Sequence, residues 1–374
     1  MIQILPINDT RTDDSWDNSY PYKAISTKAL HPIYLNLDKL GTLNDINDRI
    51  YFENQKNILK KKDYVDYPEV MKVKDAYFKK IFAQTWDKTR NSKSYKTFFE
   101  ENEEWLVPYA EFCLHKRCLS LSKALPVTST SSVTEQPEFY YFLQYHLDKQ
   151  LKEAVDYLHD KGIALKGDIP IGIGRESVEA YTNPKLFNLN CQAGAPPDVF
   201  ATEGQNWGFP TYNWEAMAKD NYQWWRERLT QMSRYFDAYR IDHILGFFRI
   251  WEIPYESTQG LLGYFSPAIG YQQSVVSSQL SANYERLTKP YIRGHFLHEY
   301  FGEFTEEVRE NYLNETSFSY FELKEEFNTQ RKITDYFLRQ QTTDNRQQSL
   351  FKSQQLSNQQ SLRIEQIDRR ERHD

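Results

Sequence analysis

Two rhythms of apolar spacing organise this chain. EFYYFLQYHLDKQLKEAVDYLHDKG (138–162) places Leu143, Leu147, Leu151, Ala154 and Leu158 on one helical face, and Gly162 suits a C-terminal cap. NYQWWRERLTQMSRYF (221–236) does the same with Trp225, Leu229, Met232 and Phe236. Shorter runs, IQILPI (2–7), IALKGDIPIGI (163–173) and AYRIDHI (238–244), read as buried strands. Strand, loop, helix and strand in this order predict a parallel α/β architecture. At 374 residues the chain fits part of a (β/α)8 barrel. Residues 45 to 125 read as helical, with Val70, Val73, Ala76, Tyr77, Ile81 and Phe82 close to helical spacing. The expected layout is strand and loop over 1–44, a helical insertion and linker over 45–137, a central portion over 138–338, and a disordered or foreign tail over 339–374. PVTSTSSVTEQP (126–137) is the Ser/Thr-rich connector, and the tail is rich in glutamine without a stable apolar face.

Composition narrows the classes. A net charge of −6 disfavours a binder of nucleic-acid backbone, which needs a basic face. Aromatics make up 16% of residues, with 27 Tyr and 8 Trp. They serve as core, and they also stack on flat apolar faces such as sugar rings. Three cysteines, Cys113, Cys118 and Cys191, form neither a disulfide framework nor a metal cluster, which points to a reducing, cytoplasmic setting. No signal peptide and no run of about 18 apolar residues is visible, so no membrane partner is expected.

FDAYRIDHILGFFRIWEIP (236–254) raises the question of chemistry. It is mostly apolar and aromatic, yet Arg240, Asp242 and His243 sit inside it. A buried charge is costly unless paired. Active sites of (β/α)8 barrels lie at the carboxyl ends of the strands, where Asp168 and Asp242 fall. The Gly- and Pro-rich loop QAGAPPDVFATEGQNWGFPTYNW (192–214) adds Asp198, Gln205 and Trp207, and long loops at that face usually carry function.

SYPY (19–22), GDIPIGI (167–173), AGAPPD (193–198), GQNWGFPTYNW (204–214) and RIDH (240–243) occur in one order. Their combination resembles amylomaltase, the 4-α-glucanotransferases of glycoside hydrolase family 77, of the plant cytosolic disproportionating type. The resemblance runs from about Ile2 to Phe337. It implies an incomplete (β/α)8 TIM barrel with helical insertions, and retaining transfer on α-1,4-glucans and maltooligosaccharides, with glucose or a glucan as acceptor. By resemblance Asp242 is the nucleophile, attacking the anomeric carbon to form a covalent glycosyl-enzyme. Arg240 orients it and keeps it ionised. His243, Tyr22, Asp168, Asp198, Gln205 and Trp207 are expected to bind substrate, the 192–214 loop keeping water from the intermediate. No metal or organic cofactor is implied.

Plainer readings stand beside these. Trp207 suits loop packing, Tyr22 a core aromatic, and Asp168 a structural hydrogen-bonder. His146, His159, His295 and His298 match nothing catalytic. The chain also departs from the family. The general acid/base glutamate expected after a GEDLG-like stretch is absent, as is the later His-Asp stretch, and neither Glu252 nor Glu299 lies in such a context. With IQILPI opening inside what would be strand two, a fragment inactive on its own is expected. The competing readings are an α-amylase-like glucan hydrolase, and a glucan-binding protein without catalysis.

Overall fold

A computed structural model describes the chain apart from residue 14 and residues 125–135, 269–291 and 344–374. It divides into two compact units, Met1–Ala193 with Trp207–Ile250, and Gly194–Asn206 with Trp251–Asp374.

The first unit joins a helical layer to a parallel sheet. Its long helices are α1 (Ile46–Leu59), α2 (Tyr67–Arg90), α3 (Lys93–Ala124) and α4 (Pro137–Asp160). Their starts follow from local chemistry. Asp45 accepts from the backbone N–H groups of Asn47 and Asp48, Asp66 accepts from Glu69, and proline occupies the first turns of α2 and α4. Gly162 ends α4 at φ +67°, a left-handed conformation open to glycine. One core gathers Phe78 and Ile81 of α2, Leu106 and Tyr109 of α3, and Phe142, Leu143 and Leu147 of α4. The buried face of α4 differs from the expected stripe at its end. Ala154 is exposed and Val155 is buried, a one-residue drift of the face.

Strands β1 (Ile2–Gln3), β2 (Leu165–Ile169) and β7 (Ala238–Ile241) form a parallel sheet in the order β1-β2-β7. In register, Ile2 pairs with Leu165, and Asp168 with Arg240. Between β2 and β7 run α5 (Val178–Thr182), β3 (Phe187–Asn188), β4 (Cys191–Ala195), β5 (Gln205–Asn206), β6 (Thr211–Tyr212), α6 (Trp214–Ala218) and α7 (Gln223–Met232). This long connection is what parallel strands require. Glycines let the layers close: a Cβ on Gly167 would lie 2.1 Å from the Phe236 ring.

The second unit holds β8 (Ile250–Pro254) and β9 (Tyr264–Ser266) in a sheet of order β5-β4-β8-β9. A second, antiparallel sheet follows the order β10-β12-β11, from β10 (Ile292–Arg293), β11 (Leu313–Ser317) and β12 (Tyr320–Leu323). Two helices, α8 (Gly294–Phe301) and α9 (Thr305–Tyr312), complete a small core of Ile292, Leu297, Phe301, Val308, Leu313 and Phe321. The last element is α10 (Gln330–Thr343).

In the two compact units, Gly194–Asn206 groups with Trp251 onward. Several expectations change. The helix α10 passes Leu338 into the segment expected to be disordered, and the rest of that tail lies outside the described residues, as does most of the 126–137 connector. IQILPI is a strand only at Ile2–Gln3, where Ile2 is 42% exposed, and Leu5 is exposed too. The end of β7 and the run after it are not buried either: Ile241, Ile244, Leu245 and Phe248 are exposed. Both β1 and β7 are edges of the described sheet, so each pairs on one side only. Among the described residues no helix is long and apolar enough to cross a membrane.

Candidate active site

The parallel register builds the site. Asp168 and Arg240 are partners on β2 and β7, so their side chains share a face, and Asp242 follows on the same face two residues after Arg240. The Asp242 N–H donates to the Ile169 carbonyl at 3.1 Å and carries the pairing past the end of β7. Arg240 then spans both carboxylates. Its Nη1 donates to Asp168 Oδ2 at 2.6 Å and its Nη2 to Asp242 Oδ1 at 2.9 Å. Tyr22 completes the group from the loop after β1, its hydroxyl donating to Asp168 Oδ2 at 2.7 Å.

The two carboxylates are placed differently. The Asp168 side chain is 1% exposed, against 28% for Asp242. Asp168 is the buried anchor, while Asp242 is partly exposed and takes its bond from the arginine at Oδ1. The buried Oδ1 of Asp168 has no hydrogen-bond partner, an uncommon state for a native carboxylate. Burial and the bond to Asp168 push the Tyr22 hydroxyl up to about 12. The bond to Asp168 and the charges of Asp168 and Asp242 hold the Arg240 guanidinium above its ordinary range. Arg240 therefore stays charged at any working pH.

His243 follows with φ +47°, a left-handed conformation rare for a residue with a side chain. It turns the backbone sharply out of β7. Its ring meets Trp207 edge-on, with centroids 4.8 Å apart at 78°. Partial burial lowers its pKa, opposed by the nearby Asp242 charge. Gly246 allows this turn to close, since a Cβ there would lie 2.8 Å from His243 Cδ2. The Trp207 ring stacks on Phe209 at 5.9 Å and 25°, and the Trp207 backbone N–H donates to the Ala193 carbonyl at 3.0 Å.

Of the residues singled out in sequence, Tyr22, Asp168, Arg240 and Asp242 are joined by direct bonds, and His243 and Trp207 by ring contact. Asp198 and Gln205 belong to the second unit. There Asp198 Oδ1 accepts from the N–H groups of Phe200 and Ala201 at 2.8 and 2.7 Å, and Gln205 pairs with Ala195. His159 bonds Asp237 at the opposite end of β7 from Asp242, and His146 is packed against Phe142 and Tyr145. Phe209 escaped the sequence reading. A Cβ on Gly172 would lie 2.1 Å from its ring, and that pairing of GDIPIGI with GQNWGFP was the available signal. Arg228 was missed as well. It is fully buried beside Trp224 and Trp225, and it donates to the Pro170 carbonyl at 2.9 Å.

Two carboxylates bridged by one arginine at adjacent parallel strand ends make up the centre of this α/β site. A family model described as 4-alpha-glucanotransferase, glycoside hydrolase family 77, matches residues 1–347, and the chain belongs to that family. It is 46% identical over 350 residues to the rice 4-alpha-glucanotransferase DPE2, covering 89% of this chain and 37% of the relative. It is 34% identical to the 4-alpha-glucanotransferase of Chlamydia muridarum, covering 67% of this chain and 49% of the relative. The chain thus spans half or less of the length of these curated relatives. Among solved structures, an amylomaltase from Streptococcus agalactiae in complex with acarbose matches with TM-score 0.57 at 24% identity, over 83% of this chain and 69% of that one. An amylomaltase from Corynebacterium glutamicum matches with TM-score 0.56 at 20% identity, over 70% and 38%. These two likenesses show a shared fold.

Proposed function

We propose that this chain carries the nucleophile side of a 4-α-glucanotransferase site, on parallel strands that form part of a (β/α)8 barrel. The observation that carries the reading is the Arg240 fork, which holds Asp242 at Oδ1 and leaves its carboxylate partly exposed. Asp242 Oδ2 attacks the anomeric carbon of an α-1,4-glucan. The C–O bond to the leaving chain breaks, and the departing 4-oxygen takes up a proton. A glucan or glucose 4-hydroxyl then displaces Asp242, losing its own proton and restoring the α-linkage. Arg240 fixes the carboxylate's aim, Trp207 offers a face for a sugar ring, and His243 hydrogen-bonds sugar hydroxyls. Asp198 and Gln205 are assigned to the same substrate, and the 192–214 loop to excluding water.

The leaving oxygen needs a second acid, and neither neighbour suits. Asp168 is buried with two donors on one oxygen, and the Tyr22 hydroxyl is held up to about 12. No motif assigns the acid/base glutamate. For that reason a second reading is retained, a glucan-binding role without turnover. The working compartment we assign is cytoplasmic, in keeping with a sequence whose three cysteines are too few and too scattered for a disulfide framework.

Maltotriose decides between these. Glucose together with chains longer than the trisaccharide, abolished by Asp242→Asn, would establish transfer and an acid/base that no motif marks. Glucose and maltose without longer chains would indicate hydrolysis. Saturable binding of maltooligosaccharides without turnover would establish the binding role for this chain.

A further inference from the structure

A cavity of about 780 Å³ opens in the helical layer of the first unit, between α1, α2 and the segment 35–43. Its size is that of a small-molecule site. Its floor is apolar and largely buried, from Leu43, Phe52, Val73 and Tyr77. None of the residues of the candidate active site lines it.

The charges around this cavity are unevenly matched. Three lining carboxylates are already engaged: Asp38 bridges Lys56 at 3.1 Å, Glu53 shares that lysine at 3.9 Å, and Asp66 bridges Lys62 while capping α2. Three lining cations, Arg49, Lys60 and Lys74, have no ion-pair partner among the described residues, against one unpaired lining carboxylate, the exposed Asp63. Lys74 is the informative one. It is half-buried in the wall, and Nζ donates to the carbonyls of Ile33 and Leu35, the latter at 2.8 Å. Those carbonyls satisfy two of its three N–H groups and bring no counter-charge. Burial pushes the amine down to about 8, the direction expected of a cation kept from water without an anion. A cation in that position is costly unless something pairs with it.

From this geometry we infer that the cavity is a binding site for a small amphipathic organic anion, a carboxylate, sulfonate or phosphate carried on an apolar or aromatic body. The anionic group pairs with Lys74, with Arg49 and Lys60 adding longer-range attraction. The body lies on Leu43, Phe52, Val73 and Tyr77. This site stands apart from the glucan chemistry and does not depend on it.

The probe is anilinonaphthalene sulfonate, titrated against the folded chain by fluorescence and calorimetry. Saturation at one site per chain is expected, unaffected by acarbose. Lys74→Gln removes the charge while keeping an amide donor one atom nearer the backbone, and is expected to weaken binding roughly tenfold. Lys74→Arg retains most of the affinity. Val70→Trp, at a half-buried lining position, occupies the cavity and removes binding while the circular dichroism stays native. Affinity equal to wild type in both Lys74→Gln and Val70→Trp would overturn the assignment. So would non-saturating binding, or displacement of the probe by acarbose.

Discussion

Arg240 and His31 illustrate what single side chains contribute. Arg240 reaches two carboxylates at once because the guanidinium is a planar fork with donors at fixed angles. Lysine brings the same charge to a single point and cannot hold Asp168 and Asp242 together. Arg240→Lys is therefore expected to cut glucan turnover on the order of 10²-fold while leaving the unfolding midpoint nearly unchanged. A steady-state comparison of the two proteins on maltotriose, with matched urea melts, checks both halves. His31 acts on stability instead. Its Nδ1 accepts from the Ile33 N–H at 3.0 Å, so the proton sits on Nε2 and is donated to the Tyr67 hydroxyl at 2.9 Å. Burial holds its pKa down to about 3, from an ordinary value of 6.5. Between those values the unfolded chain binds a proton that the native state refuses. Stability therefore falls as pH drops below about 6.5, by up to about 1.4 kcal/mol per pH unit, until the native group itself titrates. His146, lowered to about 4 by burial, adds to the same slope. His31→Gln is expected to flatten the fall in urea midpoint between about pH 6 and pH 4. An unchanged slope would assign the acid sensitivity to other groups.

At the level of elements, the site depends on how β2, β7 and the loop before β6 pack. Gly172, just past β2, lies under the Phe209 ring, and Phe209 in turn stacks on Trp207. A methyl at 172 has nowhere to go unless that ring shifts. Gly172→Ala is expected to cost about 1–3 kcal/mol of stability as overpacking, to shift the tryptophan emission, and to raise KM for maltooligosaccharides more than it lowers kcat. Native emission with an unchanged KM would mean that the Phe209–Trp207 stack takes no part in sugar binding. The same elements show what was legible in the chain. The helices α2, α4 and α7 and the strands β2 and β7 follow from apolar periodicity, whereas Tyr22 is placed with Asp168, Arg240 and Asp242 by the family resemblance. The exposure of Ile241, Leu245 and Phe248 does not follow from periodicity, because an apolar run has the same spelling whether its strand is central or at an edge. Nor does the burial of Arg228. A charged residue in a helix reads as solvated, and only the fold reveals Trp224, Trp225 and the Pro170 carbonyl around it. The left-handed backbone of His243 is a third case, since no local rule places a histidine there.

At the scale of the molecule, the division into two units was hidden for a related reason. Gly194–Asn206 leaves the first unit and groups with Trp251 onward, so membership is set by pairing across long sequence separations, which composition does not record. Each unit nevertheless has its own apolar core. Phe78 is fully buried among α2, α3 and α4, and Leu297 is 1% exposed beside Phe301 and Phe321. The two residues belong to separate clusters and share no buried neighbour. Truncating either leaves a cavity costing about 3–5 kcal/mol for phenylalanine and 2–5 kcal/mol for leucine. Because the clusters are distinct, the costs of Phe78→Ala and Leu297→Ala are expected to add within about 0.5 kcal/mol in the double variant. Hydrogen exchange assigns the damage: Leu297→Ala speeds exchange at amides of α8, β11 and β12 and spares those of β2 and β7. Coupling well beyond that figure, or loss of protection in β2 and β7, would mean that the two cores unfold as one cooperative body. The Arg240 fork on β7 would then owe part of its stability to the small core around Leu297.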